Sequence, residues 1–179
     1  EKYKAVDLVD PDGNEARINR ALDQTTEFSF FEDWMEKYEY IIDLGKGLPL
    51  IDEAKKDEDH LIKGCQSQVW LDAQEQNDTI AFTADSDAVI TKGIIALLIR
   101  VLSGQKAQAI AESDLYFIDK IGLKEHLSPT RSNGLVSMVK QMKLYALALA
   151  FSKSSRKISK LSSDDVKAIF LTSDPVLSS

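Results

Sequence analysis

Between Val69 and Ala84 apolar residues fall on every second position: Val69, Leu71 and Ala73, then Ile80, Phe82 and Ala84. Gln76-Asn77-Asp78 breaks the run with turn-forming residues. Successive side chains on a strand point to opposite faces, so this alternation predicts two half-buried strands. A parallel pair would need a crossover of about a dozen residues or more, and none is available, so the strands form an antiparallel hairpin. Residues 88–102 follow directly and are apolar on nearly every side, the pattern of a central buried helix. Gly93 inside that helix costs about 1 kcal/mol of propensity relative to Ala, and its simplest reading is close backbone packing. Asp85-Ser86-Asp87 supplies an N-cap cluster for it. Asp87 is most simply the cap itself. The alternative is that it holds the loop ahead of the hairpin, because the second strand returns toward the same edge.

Other elements flank this centre. Ser29 and Glu32 have capping-box spacing, and Phe31, Trp34, Met35, Tyr38, Ile41 and Ile42 form one helical stripe. Gly45, Gly47 and Pro49 stop it. The charged stretch 52–60 reads as a solvated loop or a loose turn of helix. A short helix over 106–112 and a turn capped by Asp114 lead to a loop at 122–132. A last helix covers 133–151, with the stripe Leu135, Met138, Val139, Met142, Tyr145, Ala146 and Leu149. Residues 1–27 read as an N-terminal extension, turn-rich at 10–14, with a hint of helix at Ile18, Ala21 and Leu22. Residues 28–151 form the domain. The tail 152–179 contains nine serines, a basic patch of Lys153, Arg156, Lys157 and Lys160, and a small amphipathic helix over 166–171. No internal repeat is visible.

The chain has 179 residues, 44% hydrophobic and 28% charged, the profile of a soluble globular protein with one core. Its net charge of −7 argues against a nucleic-acid binder, whose footprint is a basic face. The longest apolar stretch, 93–102 with its flanks, is about half the ~20 residues needed to cross a bilayer, so no membrane span is expected. No charged-then-apolar leader is visible, and because the first residue is Glu1 rather than Met, nothing about targeting follows. A single cysteine does not depend on an oxidising compartment, so a cytoplasmic location is the expectation.

That cysteine, Cys65, is the only sulfur nucleophile in the chain. It precedes the first strand rather than lying within its apolar set, and Lys63, Gly64, Gln66 and Ser67 around it are small or polar. Gly64 lets the backbone turn sharply, which puts the thiol on a loop tip. Spacing leaves two readings open, an inert packed side chain or a reactive one. A hydrolytic thiol would need His60 or His126 as base, and neither spacing favours that. His60 sits in the charged loop, and a hydrogen bond to backbone is the simpler role for His126. A redox pair within the chain is excluded, since a second thiol is missing. One thiol unaided can still accept a sulfur atom by attacking the outer sulfur of a persulfide, the displacement chemistry of thiol–disulfide exchange.

Ile62-Lys63-Gly64-Cys65-Gln66-Ser67-Gln68-Val69-Trp70 resembles the signature of SufE, the sulfur-acceptor protein of the Suf iron–sulfur assembly system, and of its relative CsdE. Asp85-Ser86-Asp87-Ala88 through Lys92-Gly93-Ile94 is similar to that family's strand-to-helix turn. His126-Leu127-Ser128-Pro129-Thr130-Arg131-Ser132-Asn133-Gly134-Leu135 is similar to the entry of its last helix. Trp34-Met35-Glu36-Lys37-Tyr38 and the Leu48-Pro49 stop also fit. Together the blocks span about residues 28–150, in order.

The resemblance implies an α+β fold shared with the NifU/IscU scaffolds, an antiparallel sheet with helices packed on one face. It implies that Cys65 takes persulfide sulfur from a pyridoxal-phosphate cysteine desulfurase, SufS or a similar enzyme, and passes it to a SufBCD-type complex. The pyridoxal cofactor belongs to the partner; this chain would be an accessory protein with no cofactor and no metal, not an enzyme. Arg131, in the third block, would favour the thiolate or orient the partner, its plain alternative being a surface or capping arginine. A cluster scaffold or metal-binding module built on Cys65 is the alternative function, disfavoured by ligand count.

Overall fold

The computed structural model describes residues 25–159, with side chains to Arg156. The helix hinted around Ile18 and the one expected over 166–171 lie outside the described residues.

The hairpin forms as the alternation requires. Strand β1, Val69–Gln76, pairs antiparallel with β2, Thr79–Ser86, in a register running from Val69 opposite Ser86 to Gln76 opposite Thr79. Asn77 and Asp78 make the two-residue turn with φ of 48° and 68°. Both values lie in the left-handed region, which Asn and Asp tolerate best after Gly and which matches the twist of the strands. Short pairings widen the sheet at both edges: Leu50 lies parallel beside Ala84, and Leu61 antiparallel beside Trp70. Val69, Leu71, Ile80, Phe82 and Ala84 form the buried face.

Helix α1, Trp34–Lys46, and helix α2, Val89–Leu102, pack on each other beneath that face. Their backbones nearly touch where they cross. A Cβ built on Gly93 would lie 2.1 Å from the Ile41 carbonyl oxygen, and one on Gly45 would lie 2.9 Å from the Gly93 nitrogen. Gly93 is therefore kept for close packing, as its place in the sequence suggests. Three short helices, α3 (Ala107–Ala111), α4 (Phe117–Lys120) and α5 (Leu123–His126), lead into the long α6, Pro129–Ser159. Leu135, Met138, Met142 and Ala146 of α6 close the core. The result is an α+β fold, with a two-stranded antiparallel sheet and several helices.

Three boundaries differ from the sequence expectation. Helix α1 begins at Trp34, not near Ser29, because Asp33 caps it by accepting from the Glu36 amide at 2.9 Å. The Glu36 carboxylate in turn accepts from the Glu32 amide at 3.0 Å. Ser29 belongs to a separate helical stretch at 25–29, docked by buried Phe28 and by a Glu27–Arg100 ion pair at 3.1 Å. Residues 122–132 are largely helical rather than a loop, since Pro129 opens α6 with the φ and the missing N–H that suit a first turn. At its other end α6 runs on past Phe151 to Ser159. Lys153 and Arg156 there pair with Glu75, at 3.2 and 3.7 Å, and Lys153 also pairs with Asp78 of the hairpin turn. By length and composition Pro129–Arg156 could cross a bilayer, a stretch outside the 93–102 run that is the longest apolar one in the sequence. Part of that apolarity is the core stripe just named.

Candidate functional site

Cys65 sits on a loop whose two ends are tied together. The Ile62 amide donates to the Val69 carbonyl at 2.8 Å, and the Leu71 amide to the His60 carbonyl at 2.9 Å. The chain from Lys63 to Gln68 is the excursion between them. Gly64 has φ of 92°, a conformation other residues rarely adopt, and a Cβ there would come within 2.7 Å of the Ser137 hydroxyl on α6. The turn expected at Gly64 is thus present, and the glycine serves both the backbone angle and the approach to α6.

The turn between β2 and α2 grips the loop from one side. Asp87 Oδ1 accepts from the Gln68 amide at 3.0 Å, and the Asp87 amide donates back to the Gln68 carbonyl at 3.3 Å. The Ser86 hydroxyl donates to that same carbonyl at 2.8 Å, and Thr91 donates to the Ser67 hydroxyl at 3.4 Å. Asp87 is therefore not the cap of α2. That position is Ala88, which makes no side-chain capping bond. The carboxylate is spent on the loop instead, the second of the two roles its sequence position allows.

Helix α6 provides the other wall. The Cys65 thiol points at the Gly134 carbonyl, Sγ to O 3.6 Å, and a Cβ on Gly134 would already touch Sγ at 3.4 Å. Thr91, Ile94, Thr130, Arg131, Gly134 and Met138 enclose it with the loop, leaving a cavity of about 10 Å³. That is room for about one water at most. The thiol is half-buried, and this burial raises its pKa above the ordinary cysteine value, so it rests protonated. Arg131 lines the cavity, but burial is the cause of the shift. Gly134 and Ser137 carry no mark in the sequence that assigns them to the site. The available signal is a glycine in a helical stripe, which costs stability unless something packs on it.

The two histidines are held elsewhere, and neither lines the thiol cavity. His126 stacks on Trp34 with ring centroids 3.9 Å apart, and its Nδ1 hydrogen-bonds the Gly122 carbonyl at 2.9 Å, the structural role expected of it. His60 is not a solvated loop residue. Its Nδ1 lies 2.7 Å from Asp57 and its Nε2 3.7 Å from Asp72, which Lys55 also contacts at 2.5 Å. Among the described residues no group of His, Cys, Asp or Glu is arranged to hold a metal ion.

Behind the loop, buried Asp85 carries Lys56 at 2.6 Å and Lys92 at 2.8 Å. Burial pushes its carboxyl up, but the hydrogen bonds from Lys56, Lys92 and the Ser86 amide outweigh this and hold the pKa at about 2. A depressed carboxylate stabilises the fold above its unfolded pKa of about 3.9, and that contribution is lost as pH falls toward 2. The shift corresponds to about 2 kcal/mol. Thermal melts from pH 5 to pH 2 are expected to fall more steeply for the native chain than for Asp85→Asn. Parallel curves would show that Asp85 contributes nothing there.

The SufE profile, described as an Fe-S metabolism associated domain, matches residues 23–146. An uncharacterized SufE-like protein of Rhizobium etli is 43% identical over 129 residues, covering 69% of this chain and 87% of the relative. One from Rhizobium meliloti is 40% identical over 129 residues, covering 69% of this chain and 92% of the relative. The solution structure of a hypothetical protein from Thermus thermophilus superposes with a TM-score of 0.61 at 17% identity, over 72% of this chain and 94% of that one, a likeness of fold alone. The matched span contains the Cys65 loop, its Asp87 latch and the Gly134 wall, and on that match the chain belongs to the SufE family.

Proposed function

We propose that this protein is a sulfur carrier for iron–sulfur cluster assembly, taking sulfur on Cys65 from a pyridoxal-phosphate cysteine desulfurase and delivering it to a SufBCD-type complex in a reducing, cytoplasmic compartment. The observation that carries this reading is the lone thiol on a latched loop, sheltered between two helices. Family membership supports the Fe–S metabolism context.

The chemistry balances without a cofactor in this chain. The Cys65 thiolate attacks the outer sulfur of the donor's persulfide; a Cys65 Sγ–S bond forms and the donor's S–S bond breaks. The donor leaves as a thiolate and takes up a proton, and the sulfane sulfur moves without net oxidation. A cavity with room for about one water cannot admit the donor's cysteine persulfide in line with the thiol, so the loop must open before transfer. Opening also exposes the thiol to water, which relieves the burial that raises its pKa and so favours the thiolate. The shelter and the need to open are two sides of one arrangement.

Mass spectrometry after incubation with a cysteine desulfurase and cysteine is the direct test. One added sulfur on the peptide containing Cys65 is expected, and an unmodified peptide would sink the reading. The latch makes a second expectation. Asp87→Ala removes one charge-assisted hydrogen bond from an exposed position, worth about 1 kcal/mol, so alkylation of Cys65 in the free protein should quicken roughly fivefold. The native chain should be alkylated slowly alone and faster when the desulfurase is present. Equal rates in all three samples would mean that the loop is not held by Asp87.

A further inference from the structure

We propose that the outward face of α6 is a docking surface for an amphipathic helix of a partner protein, one that turns an acidic flank toward Lys140. The face borders a groove of about 430 Å³ whose opposite wall is Leu115 and Ile118. Val136, Lys140, Leu144, Leu147 and Phe151 follow one another four or three residues apart, so they share one side of the helix. Val136, Leu144 and Leu147 are about half exposed, at 55%, 46% and 54%, and Phe151 is 77% exposed. Aligned apolar side chains at this spacing are what a second helix covers when it lies in a groove. Among the described residues the groove shares no lining residue with the thiol cavity, so an occupant leaves Cys65 clear.

Charge says what that helix must carry. From Pro129 to Ser159, α6 has six Lys and Arg residues and no Asp or Glu, in a chain whose net charge is −7. Three of these cations are already engaged: Lys143 donates to the Ser113 carbonyl at 2.6 Å, and Lys153 and Arg156 pair with Glu75. Lys140 differs from them. It is exposed in the middle of the apolar stripe, and among the described residues its ammonium has no ion-pair partner. A single lysine inside an apolar seam selects its partner, because a carboxylate placed opposite offsets the desolvation that an apolar residue there would impose. Two copies packed α6 against α6 do not meet that need, since they bring cations together with no carboxylate between them. An anionic bilayer fits less well too. Asp114 and Asp119 lie on the wall with Leu115 and Ile118, and would be pressed against its headgroups. A helix acidic only on the flank that meets α6 avoids them.

Fluorescence anisotropy of two synthetic helical peptides added to the full chain tests this. Both are roughly five turns long with leucines three and four residues apart, and one carries Glu along a flank where the other carries Lys. The Glu peptide should bind the native chain roughly tenfold more tightly than the Lys peptide. Lys140→Glu should reverse that preference, and Leu147→Asp should abolish binding of both peptides. Both side chains are exposed enough that the variants should melt with the native chain. Equal affinity for the two peptides, or no binding of the Glu peptide, would overturn the proposal. So would binding of the Glu peptide that survives Leu147→Asp, because the apolar stripe would then play no part. Self-association of the native chain that Leu147→Asp removes would assign the face to a second copy. Binding to phosphatidylglycerol vesicles that the same substitution removes would assign it to a lipid surface, and either result overturns the proposal as well.

Discussion

Cys65→Ser is expected to abolish both the loading of sulfur and any stimulation of a cysteine desulfurase, returning the desulfurase to its rate alone. The hydroxyl oxygen cannot act as the thiolate does at neutral pH, and Cys65 is the only thiol in the chain to take its place. The fold should be indifferent to the change. A serine hydroxyl can still donate toward the Gly134 carbonyl, the side chain is only half-buried, and the glycine-lined wall accepts a smaller atom. A stability change within about 1 kcal/mol is expected. The decisive pair of measurements is desulfurase turnover with the variant added and the variant's melting temperature. Stimulation retained by a folded Cys65→Ser chain would remove the basis for the sulfur-carrier reading.

The largest effect on stability is expected from Gly93→Ala. An added methyl would sit 2.1 Å from the Ile41 carbonyl oxygen and 2.7 Å from both the Ile41 carbonyl carbon and its Cγ2. Backbone cannot rotate out of the way as a side chain can, so α1 must move off α2 and lose the packing along its length. Overpacking costs about 1–3 kcal/mol in ordinary cores, and a backbone obstacle belongs at the top of that range or above it. Alanine returns about 1 kcal/mol of helix propensity. A net loss of about 3 kcal/mol and a melting temperature lower by roughly 10 °C follow. Gly45→Ala, with its nearest obstacle at 2.9 Å, should cost less. A Gly93→Ala chain as stable as the native one would mean that the two helices are not in backbone contact. Because α2 begins at the turn that latches the Cys65 loop, the same variant should also alkylate faster at Cys65.

Much of this was legible in the residues because it depends on local periodicity. The alternation on either side of Asn77-Asp78 specifies a hairpin wherever it folds, and a stretch as apolar as 88–102 must be buried. The helix ends were less legible. Ser29 and Glu32 have the spacing of a cap, but Asp33 and Glu36 offer the same spacing four residues on, and the docking of Phe28 decides between them. The continuation of α6 past Phe151 is likewise supported from a distance, by Glu75 on β1 and Asp78 on the hairpin turn.

The site divides in the same way. Periodicity and residue chemistry by themselves determined a half-buried hairpin, a central helix in need of a glycine, and one thiol beside Gly64 ahead of the first strand. Only the tertiary structure decided that Asp87 turns to the Gln68 amide instead of capping α2, that Gly134 walls in the thiol, and that Ser137 meets the Gly64 turn. Gln68 and Asp87 are 19 residues apart, and Cys65 and Gly134 are 69. Contacts at such separations exist only once the core has brought the hairpin, α2 and α6 together, and no local pattern encodes them.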